Sequence, residues 1–141
     1  FVSSNEFFYI IDFKTGSIIS KKKFSSIVRP VINNDYIFLI TKNKFLLSMN
    51  INTGEILYSY ELNDQIAKFL KTKKKNIEIK NLLIASNKIF IFLKNSYFLK
   101  LNIDGNIEDV YRLPSKIKSE PILVNGNLIF IDKKNKINIV N

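Results

Sequence analysis

The sequence contains no Cys and no His, so two versatile catalytic and metal-binding side chains are absent. Without Cys the chain can form neither a disulfide nor a thiolate nucleophile, and without His it lacks the commonest metal ligand and general base. Trp is absent too, and only two Arg accompany twenty Lys. Nucleic-acid sites rely on Arg for bidentate and stacking contacts. This shortage argues against a nucleic-acid partner, despite a formal net charge of +10.

Long apolar runs and glycine-rich loops are also missing. No uninterrupted apolar stretch reaches the roughly 18 residues that a membrane-spanning helix needs. The four Gly occur singly, so no glycine-rich phosphate loop is present. Most carboxylates stand singly or in turns, without a cluster, and the Ser and Lys residues show no catalytic spacing. The sequence therefore predicts no catalytic residue, no cofactor site and no metal site.

What the chain does contain is a repeat. Residues 33–50 align without gaps to residues 85–102 and to residues 124–141, and the first twelve residues fit the second half of the same pattern. The equivalent positions Asp12, Asn50, Asn102 and Asn141 are 38, 52 and 39 residues apart. A period of about forty residues with several strands in each copy is typical of a β-propeller blade.

One copy shows the unit clearly. Apolar and aromatic residues predict strands over 36–41, 45–50 and 55–60, joined by turns rich in Asn, Thr and Gly. An innermost strand is expected over 28–32. Pro30 and its counterpart Pro121 lack an amide hydrogen, so each is expected at a strand start or at an inner edge facing the central channel. The turn after Asn102 is one residue shorter than the turn after Asn50.

The 52-residue spacing indicates an insertion. Ile66, Phe69 and Leu70 have helical spacing, which predicts a short helix with Asn63 or Asp64 as its N-cap. A basic loop follows, and the next inner strand is expected near Ile77. Insertions on repeat scaffolds often carry partner contacts. The candidate contact residues here are Lys71, Lys73, Lys74 and Lys75; the alternative is a packed cap with a solvated lysine loop.

These observations predict an all-β fold: a partial β-propeller of about three to three and a half four-stranded antiparallel blades, with a short helical and loop insertion. The expected domain spans 1–141, with blade pieces at 1–26, 27–63, 77–114 and 115–141 and the insertion at 64–76. The last piece has three strands, which suggests the C-terminal part of a propeller of seven or eight blades. Unpaired strand edges would also allow copies of the piece to associate edge to edge.

Two turns carry a resemblance to a known repeat class. Asp12-Phe13-Lys14-Thr15-Gly16 and Asn50-Ile51-Asn52-Thr53-Gly54 resemble the hallmark turn of PQQ-like propeller repeats, and Tyr58 falls near the usual Trp of that pattern. One branch of the class comprises quinoprotein dehydrogenases, which bind PQQ and Ca²⁺ and carry Trp docking motifs. The other branch is the BamB family of outer-membrane assembly lipoproteins, which act without a cofactor. The pattern over 120–131, followed by Lys134, Asn135, Lys136 and Ile137, is similar to the BamB branch.

The resemblance implies a non-enzymatic scaffold without a cofactor, in the periplasm and associated with the outer membrane. Its expected partner is the set of periplasmic domains of the barrel-assembly protein. Membrane attachment would come only from a lipid anchor outside this segment. The C-terminal part of a quinoprotein dehydrogenase and a generic ligand- or protein-binding propeller are the alternatives. The generic reading would place its site at the insertion lysines.

Overall fold

The computed structural model describes residues 1–140, and Asn141, the last of the predicted equivalent turn positions, lies outside the described residues. The chain divides into two compact units: Phe1–Lys75, and a second unit that starts at Asn76. Every strand pairs in sequence order and antiparallel, so each sheet is a simple meander.

The first unit contains two sheets and the helix. Its first sheet has the strands β1 (Val2–Ser3), β2 (Phe8–Ile11) and β3 (Ile18–Lys22). Its second sheet has β4 (Val31–Asn33), β5 (Tyr36–Ile40), β6 (Phe45–Asn50) and β7 (Ile56–Glu61), followed by the helix α1 (Leu62–Phe69).

The second unit contains two further sheets. The third sheet has β8 (Ile79–Ala85), β9 (Lys88–Leu93), β10 (Tyr97–Asn102) and β11 (Ile107–Arg112). The fourth sheet has β12 (Ile122–Val124), β13 (Asn127–Ile131) and β14 (Ile137–Val140). The predicted mostly-β, antiparallel fold with one short helix is confirmed; two of the four sheets have four strands and two have three.

Each unit has its own apolar core between two of its sheets. In the first unit, Phe8 on β2 packs with Leu39 on β5 and Met49 on β6, and all three are fully buried. In the second unit, Phe92 on β9 packs with Phe130 on β13. On β5 and β6 the residues of the first core stand two positions apart, at Ile37 and Leu39 and at Leu47 and Met49, as the two-residue period of a strand requires.

The turn that follows β2 in the first sheet has the same hydrogen bonds as the turn that follows β6 in the second. Asp12 Oδ1 accepts hydrogen bonds from the amides of Lys14 and Thr15 at 2.9 and 2.7 Å. Asn50 Oδ1 does the same for Asn52 and Thr53 at 2.8 and 3.1 Å. Such bonds let Asp and Asn close a turn without a partner strand.

The third copy of this turn is shorter. Asn102 donates its amide to Asn106 O, whereas Asn50 donates its amide to Glu55 O, one position further along. This confirms the predicted one-residue difference. A β-bulge precedes the turn in all three copies, at Ile10/Ile11, Ser48/Met49 and Lys100/Leu101.

The start of the helix differs from the prediction. Neither Asn63 nor Asp64 is the N-cap: the N-cap is Glu61, and its side chain forms no capping hydrogen bond. β7 runs directly into the helix because Leu62 is fully buried and donates its amide to Lys44 O at 2.9 Å. These two interactions move the helix start earlier than the capping residues suggest.

Two inner strands also start later than predicted. β4 begins at Val31 rather than at Val28, directly after Pro30, and β8 begins at Ile79 rather than near Ile77. Pro30 has no amide hydrogen to donate to the neighbouring strand, so the ladder starts beyond it. Pro121 likewise stands immediately before β12.

Candidate partner-binding surfaces

The predicted lysine loop follows α1, and the geometry of the helix end determines its path. Leu70 donates its amide to Ile66 O at 2.9 Å, Lys71 to Lys68 O at 3.3 Å, and Thr72 to Ala67 O at 2.9 Å. This is the hydrogen-bond pattern of a Schellman motif, in which the residue after the cap adopts a left-handed conformation. Lys71 has φ of 51° and is that residue. Its backbone thus ends the helix while its side chain stays in solvent.

The four candidate lysines are all exposed but have different surroundings. Lys74 forms an ion pair with Glu61. Lys71, Lys73 and Lys75 form no ion pair with any residue of the described part of the chain, 1–140. Their charges are therefore available to an acidic partner, whereas the charge of Lys74 is already partly neutralised.

Exposed apolar side chains adjoin the lysine loop. Phe69 and Leu70 are 42% and 46% exposed. On the same helix, Lys68 pairs with Asp64 at 2.8 Å, one helical turn apart. The hydrogen bond from Lys68 lowers the pKa of Asp64, and the same contact raises the pKa of Lys68. The surface thus combines free positive charge with apolar area, a combination suited to a protein partner.

A second cationic surface, which sequence reasoning missed, lies in the second unit. A groove of about 550 Å³ is lined by the exposed residues Lys116, Lys133, Lys134 and Lys136. A neighbouring hollow of about 460 Å³, lined by Arg112, shares Lys116 with it. Lys133, Lys134 and Lys136 are visible in the sequence as a short run. Lys116, however, reaches them only through folding.

The described residues contain no other obvious chemical site. Within 1–140, no group of three or more acidic residues is placed to hold a metal ion. Across the same residues, no helix is long and apolar enough to cross a membrane.

Comparison with known proteins gives weak sequence matches and a strong structural one. No family model matches the chain. The sequence is 23% identical over 114 residues to the outer membrane protein assembly factor BamB of Escherichia coli, which covers 79% of this chain and 26% of that protein. It is also 27% identical over 114 residues to the beta sliding clamp of Buchnera aphidicola. That match covers 81% of this chain and 29% of the clamp protein. Sequence identities this low do not decide which of the two proteins this chain resembles more.

The structural comparison decides the fold. The crystal structure of BamB from Moraxella catarrhalis matches this chain with a TM-score of 0.72 over 95% of the chain and 37% of that structure, at 15% identity. The chain has the fold of a BamB propeller segment. The predicted resemblance to the PQQ-like and BamB repeat class is thereby confirmed for the fold.

The BamB likeness covers only part of the relatives. The chain spans about a quarter of the length of the E. coli protein and just over a third of the M. catarrhalis structure. Neither comparison tests the four predicted lysines, so their contact role stays a prediction. The structure keeps them together on one loop, with Lys74 set apart by its ion pair.

Proposed function

We propose that this chain is part of a non-catalytic, BamB-like scaffold that binds other proteins during outer-membrane β-barrel assembly. The supporting observation is the match of 95% of the chain to a BamB structure at a TM-score of 0.72. A sequence match to a protein named as an outer membrane assembly factor points the same way. The proposed place of action is the periplasm, at the outer membrane, with attachment through a lipid anchor outside this segment.

The proposed partner is the set of periplasmic domains of the barrel-assembly protein. Lys71, Lys73 and Lys75 supply unpaired charge on a surface that also exposes Phe69 and Leu70. Positive charge attracts an acidic surface of the partner to this loop, and the neighbouring apolar side chains can then be buried in the interface. This loop is the proposed contact within the chain.

The test is a titration of the chain against those periplasmic domains by isothermal calorimetry. Saturable binding is expected, and it should be unaffected by added PQQ and Ca²⁺. Replacing Lys71, Lys73 and Lys75 by Glu should raise the dissociation constant about tenfold, because three favourable charges become repulsive. Lys74 is left unchanged, since Glu at that position would face Glu61.

The matched control changes three lysines elsewhere in the same unit. Lys14, Lys22 and Lys23 replaced by Glu alter the net charge by the same amount but leave the loop intact. This variant should bind with nearly unchanged affinity at physiological salt, where charges more than about 8 Å apart are largely screened. Equal losses in both variants would assign the effect to net charge and refute the loop as the contact. No binding by the parent chain would refute the proposed partner.

A further inference from the structure

The groove with lysines in the second unit has a counterpart in the first. In the first unit the connection after β3 crosses the β5–β6 turn through a bridge between Ser26 and Thr41. There Lys42 donates its amide to Ser25 O at 3.2 Å. A groove of about 440 Å³ opens beside this crossing.

The second unit repeats this backbone arrangement 91 positions later in the sequence. Ile117 and Asp132 form the equivalent bridge, and Lys133 donates its amide to Lys116 O at 3.1 Å. The left-handed residue of the turn also recurs: Lys44 has φ of 64° and Asn135 has φ of 61°. The two grooves therefore share one backbone design.

Their linings have different chemistry. The first groove is lined by Phe24, Phe45 and Leu47 among other residues. The equivalent positions in the second groove are Ser115, Lys136 and Asn138. Ser25 and Asn43 of the first groove correspond to Lys116 and Lys134 of the second. On one backbone, the first groove has two lysines beside aromatic side chains, whereas the second has four lysines and no aromatic side chain.

The positive charge of the second groove is only partly neutralised by its own lining. Lys116, Lys133, Lys134 and Lys136 form no ion pair with residues 1–140. The one carboxylate in the lining, Asp132, is only 4% exposed and accepts the amides of Lys134 and Lys136 at 2.8 and 2.9 Å. These bonds hold the carboxylate in its own turn, and its one negative charge against four lysines leaves the lining with a net charge of +3.

A fifth ammonium group lies close to the groove. Lys80 donates to the carbonyls of Ile117 and Lys118, the second at 3.0 Å, in the connection that carries Lys116. Partial burial, together with the charge of Lys133, lowers the pKa of Lys80. The positive potential therefore extends beyond the exposed lysines.

We propose that this groove binds an acidic, extended segment of a protein partner, with Lys116, Lys133, Lys134 and Lys136 pairing with its carboxylates. The proposal rests on the proposed scaffold function and adds a second contact site with defined chemistry. Ser96 in the lining offers a hydroxyl to a peptide backbone, whereas Asn138 already donates to Lys136 O at 3.0 Å and Ser115 bonds to Asn138. A concave site with dispersed ammonium groups fits a chain of carboxylates, since each ammonium is a compact point charge.

The lining is less suited to a nucleic acid. Direct readout and base stacking rely on Arg and aromatic side chains. The groove itself contains neither, and Arg112 and Tyr97 line only the neighbouring hollow. An acidic peptide is therefore the favoured occupant.

The test measures binding of a fluorescent hexaglutamate peptide to the chain by anisotropy. Replacing Lys133, Lys134 and Lys136 by Glu should raise the dissociation constant about tenfold or more. A second variant with Gln at the same three positions should give an intermediate loss, because it removes attraction without adding repulsion. An unchanged urea unfolding midpoint would show that both variants remain folded.

The matched control is the variant with Glu at Lys14, Lys22 and Lys23, which carries the same change in net charge and leaves both the groove and the lysine loop unchanged. It should keep most of its affinity for hexaglutamate. Equal losses in the two triple variants would overturn the groove as a specific site. Binding of an oligo-dT strand or of phosphatidylglycerol vesicles as tightly as the peptide, with the same loss in the groove variant, would overturn the assignment to an acidic protein segment.

This experiment can fail independently of the proposed function. Hexaglutamate binding in the groove without binding to the barrel-assembly domains would support the site and refute the proposed partner. Binding to those domains that is sensitive to the loop lysines but not to the groove lysines would do the opposite.

Discussion

Single backbone positions set the turns of this chain. Lys44, Ser96 and Asn135 occupy the same place in three hairpins, and all three have positive φ, at 64°, 69° and 61°. Asn tolerates this conformation well, whereas Lys and Ser adopt it at some cost. The positive φ at this position is therefore required by the repeated hairpin, whichever residue type occupies the position.

Two glycines at equivalent turn positions differ in what surrounds them. Gly16 and Gly54 have φ of 72° and 71°, a left-handed conformation in which a substituted side chain would strain the backbone. A Cβ added at Gly16 would meet open space. A Cβ added at Gly54 would overlap the Cβ and Oγ of Ser20.

This pair gives a prediction about stability. Gly16→Ala should lower the free energy of unfolding by about 1 kcal/mol, through the left-handed backbone alone. Gly54→Ala should cost about 1 to 3 kcal/mol more, because the clash with Ser20 adds to the same strain. Urea unfolding of both variants measures the difference. Equal losses would show that the approach of Ser20 to Gly54 has no energetic consequence.

At the scale of elements, side-chain oxygens stabilise the turns by accepting backbone amides. Thr41 Oγ1 accepts the amide of Phe45 at 3.1 Å in the β5–β6 turn. Asp132 Oδ1 accepts the equivalent amide of Lys136 in the β13–β14 turn. The backbone hydrogen bond from Lys136 is the main cause of the lowered pKa of Asp132, which the Asn138 side chain and the Lys134 amide lower further.

The lowered pKa predicts a pH dependence. A carboxyl whose pKa is depressed by folding adds stability above its unfolded value, near 3.8, and loses it as the pH falls through the folded value. Asp132→Asn should therefore be less stable than the parent at pH 7. The difference should shrink as the pH falls through about 3.8, where the unfolded chain binds a proton before the folded one does, and it should vanish below the depressed pKa of the folded state.

Urea midpoints of the parent and of Asp132→Asn, measured across this range, provide the test. Lys134→Gln is the control, since it leaves the Asp132 carboxylate in place and keeps the backbone amide at position 134 that donates a hydrogen bond to it. That variant should follow the acid profile of the parent. A difference between parent and Asp132→Asn that stays constant with pH would contradict the prediction.

Sequence reasoning located the elements well but not all of their ends. The central strands were found because alternation of apolar residues and turn chemistry are local signals. The helix start was wrong because it depends on the burial of Leu62 and on its bond to Lys44, a residue in a different turn. Capping preferences at Asn63 and Asp64 could not reveal either contact.

At the scale of the whole molecule, the fourth sheet leaves one face exposed to other chains. Ile131 pairs with Ile137 across β13 and β14, and Ile129 pairs with Ile139. Ile137 and Ile139 are 72% and 64% exposed. β14 is also the last strand of its sheet among the described residues. An apolar face beside an unpaired edge favours association between copies.

Self-association is therefore the expected behaviour of this chain at high protein concentration. Replacing Ile137 and Ile139 by Lys should shift it toward the monomer, since charged residues near an edge oppose pairing with foreign strands. Stability should change by less than about 1 kcal/mol because both side chains are already exposed.

Multi-angle light scattering over a concentration series measures the mass. The control replaces Ile18 and Ile56 by Lys, at exposed positions on β3 and β7 of the first unit. Equal effects of the two double variants would indicate general solubility rather than association through β14. A monomeric parent at every concentration would contradict the prediction.

The two candidate surfaces illustrate different limits of the sequence. The loop with Lys71, Lys73 and Lys75 was visible because its charges lie within five residues and interrupt the repeat. The ion pair that removes Lys74 from this set was not visible, because Glu61 belongs to the preceding strand.

The amino-acid order alone established the repeat, the strands, the class of turn and the lack of His and Cys. These properties depend on composition or on local patterns, and the patterns can be recognised in each copy of the repeat by itself. Folding alone established where the helix starts and which lysine is neutralised. It also brought Lys116 beside the turn with Lys133, Lys134 and Lys136. Those features depend on contacts between residues far apart in the chain, and such contacts arise only when the sheets pack.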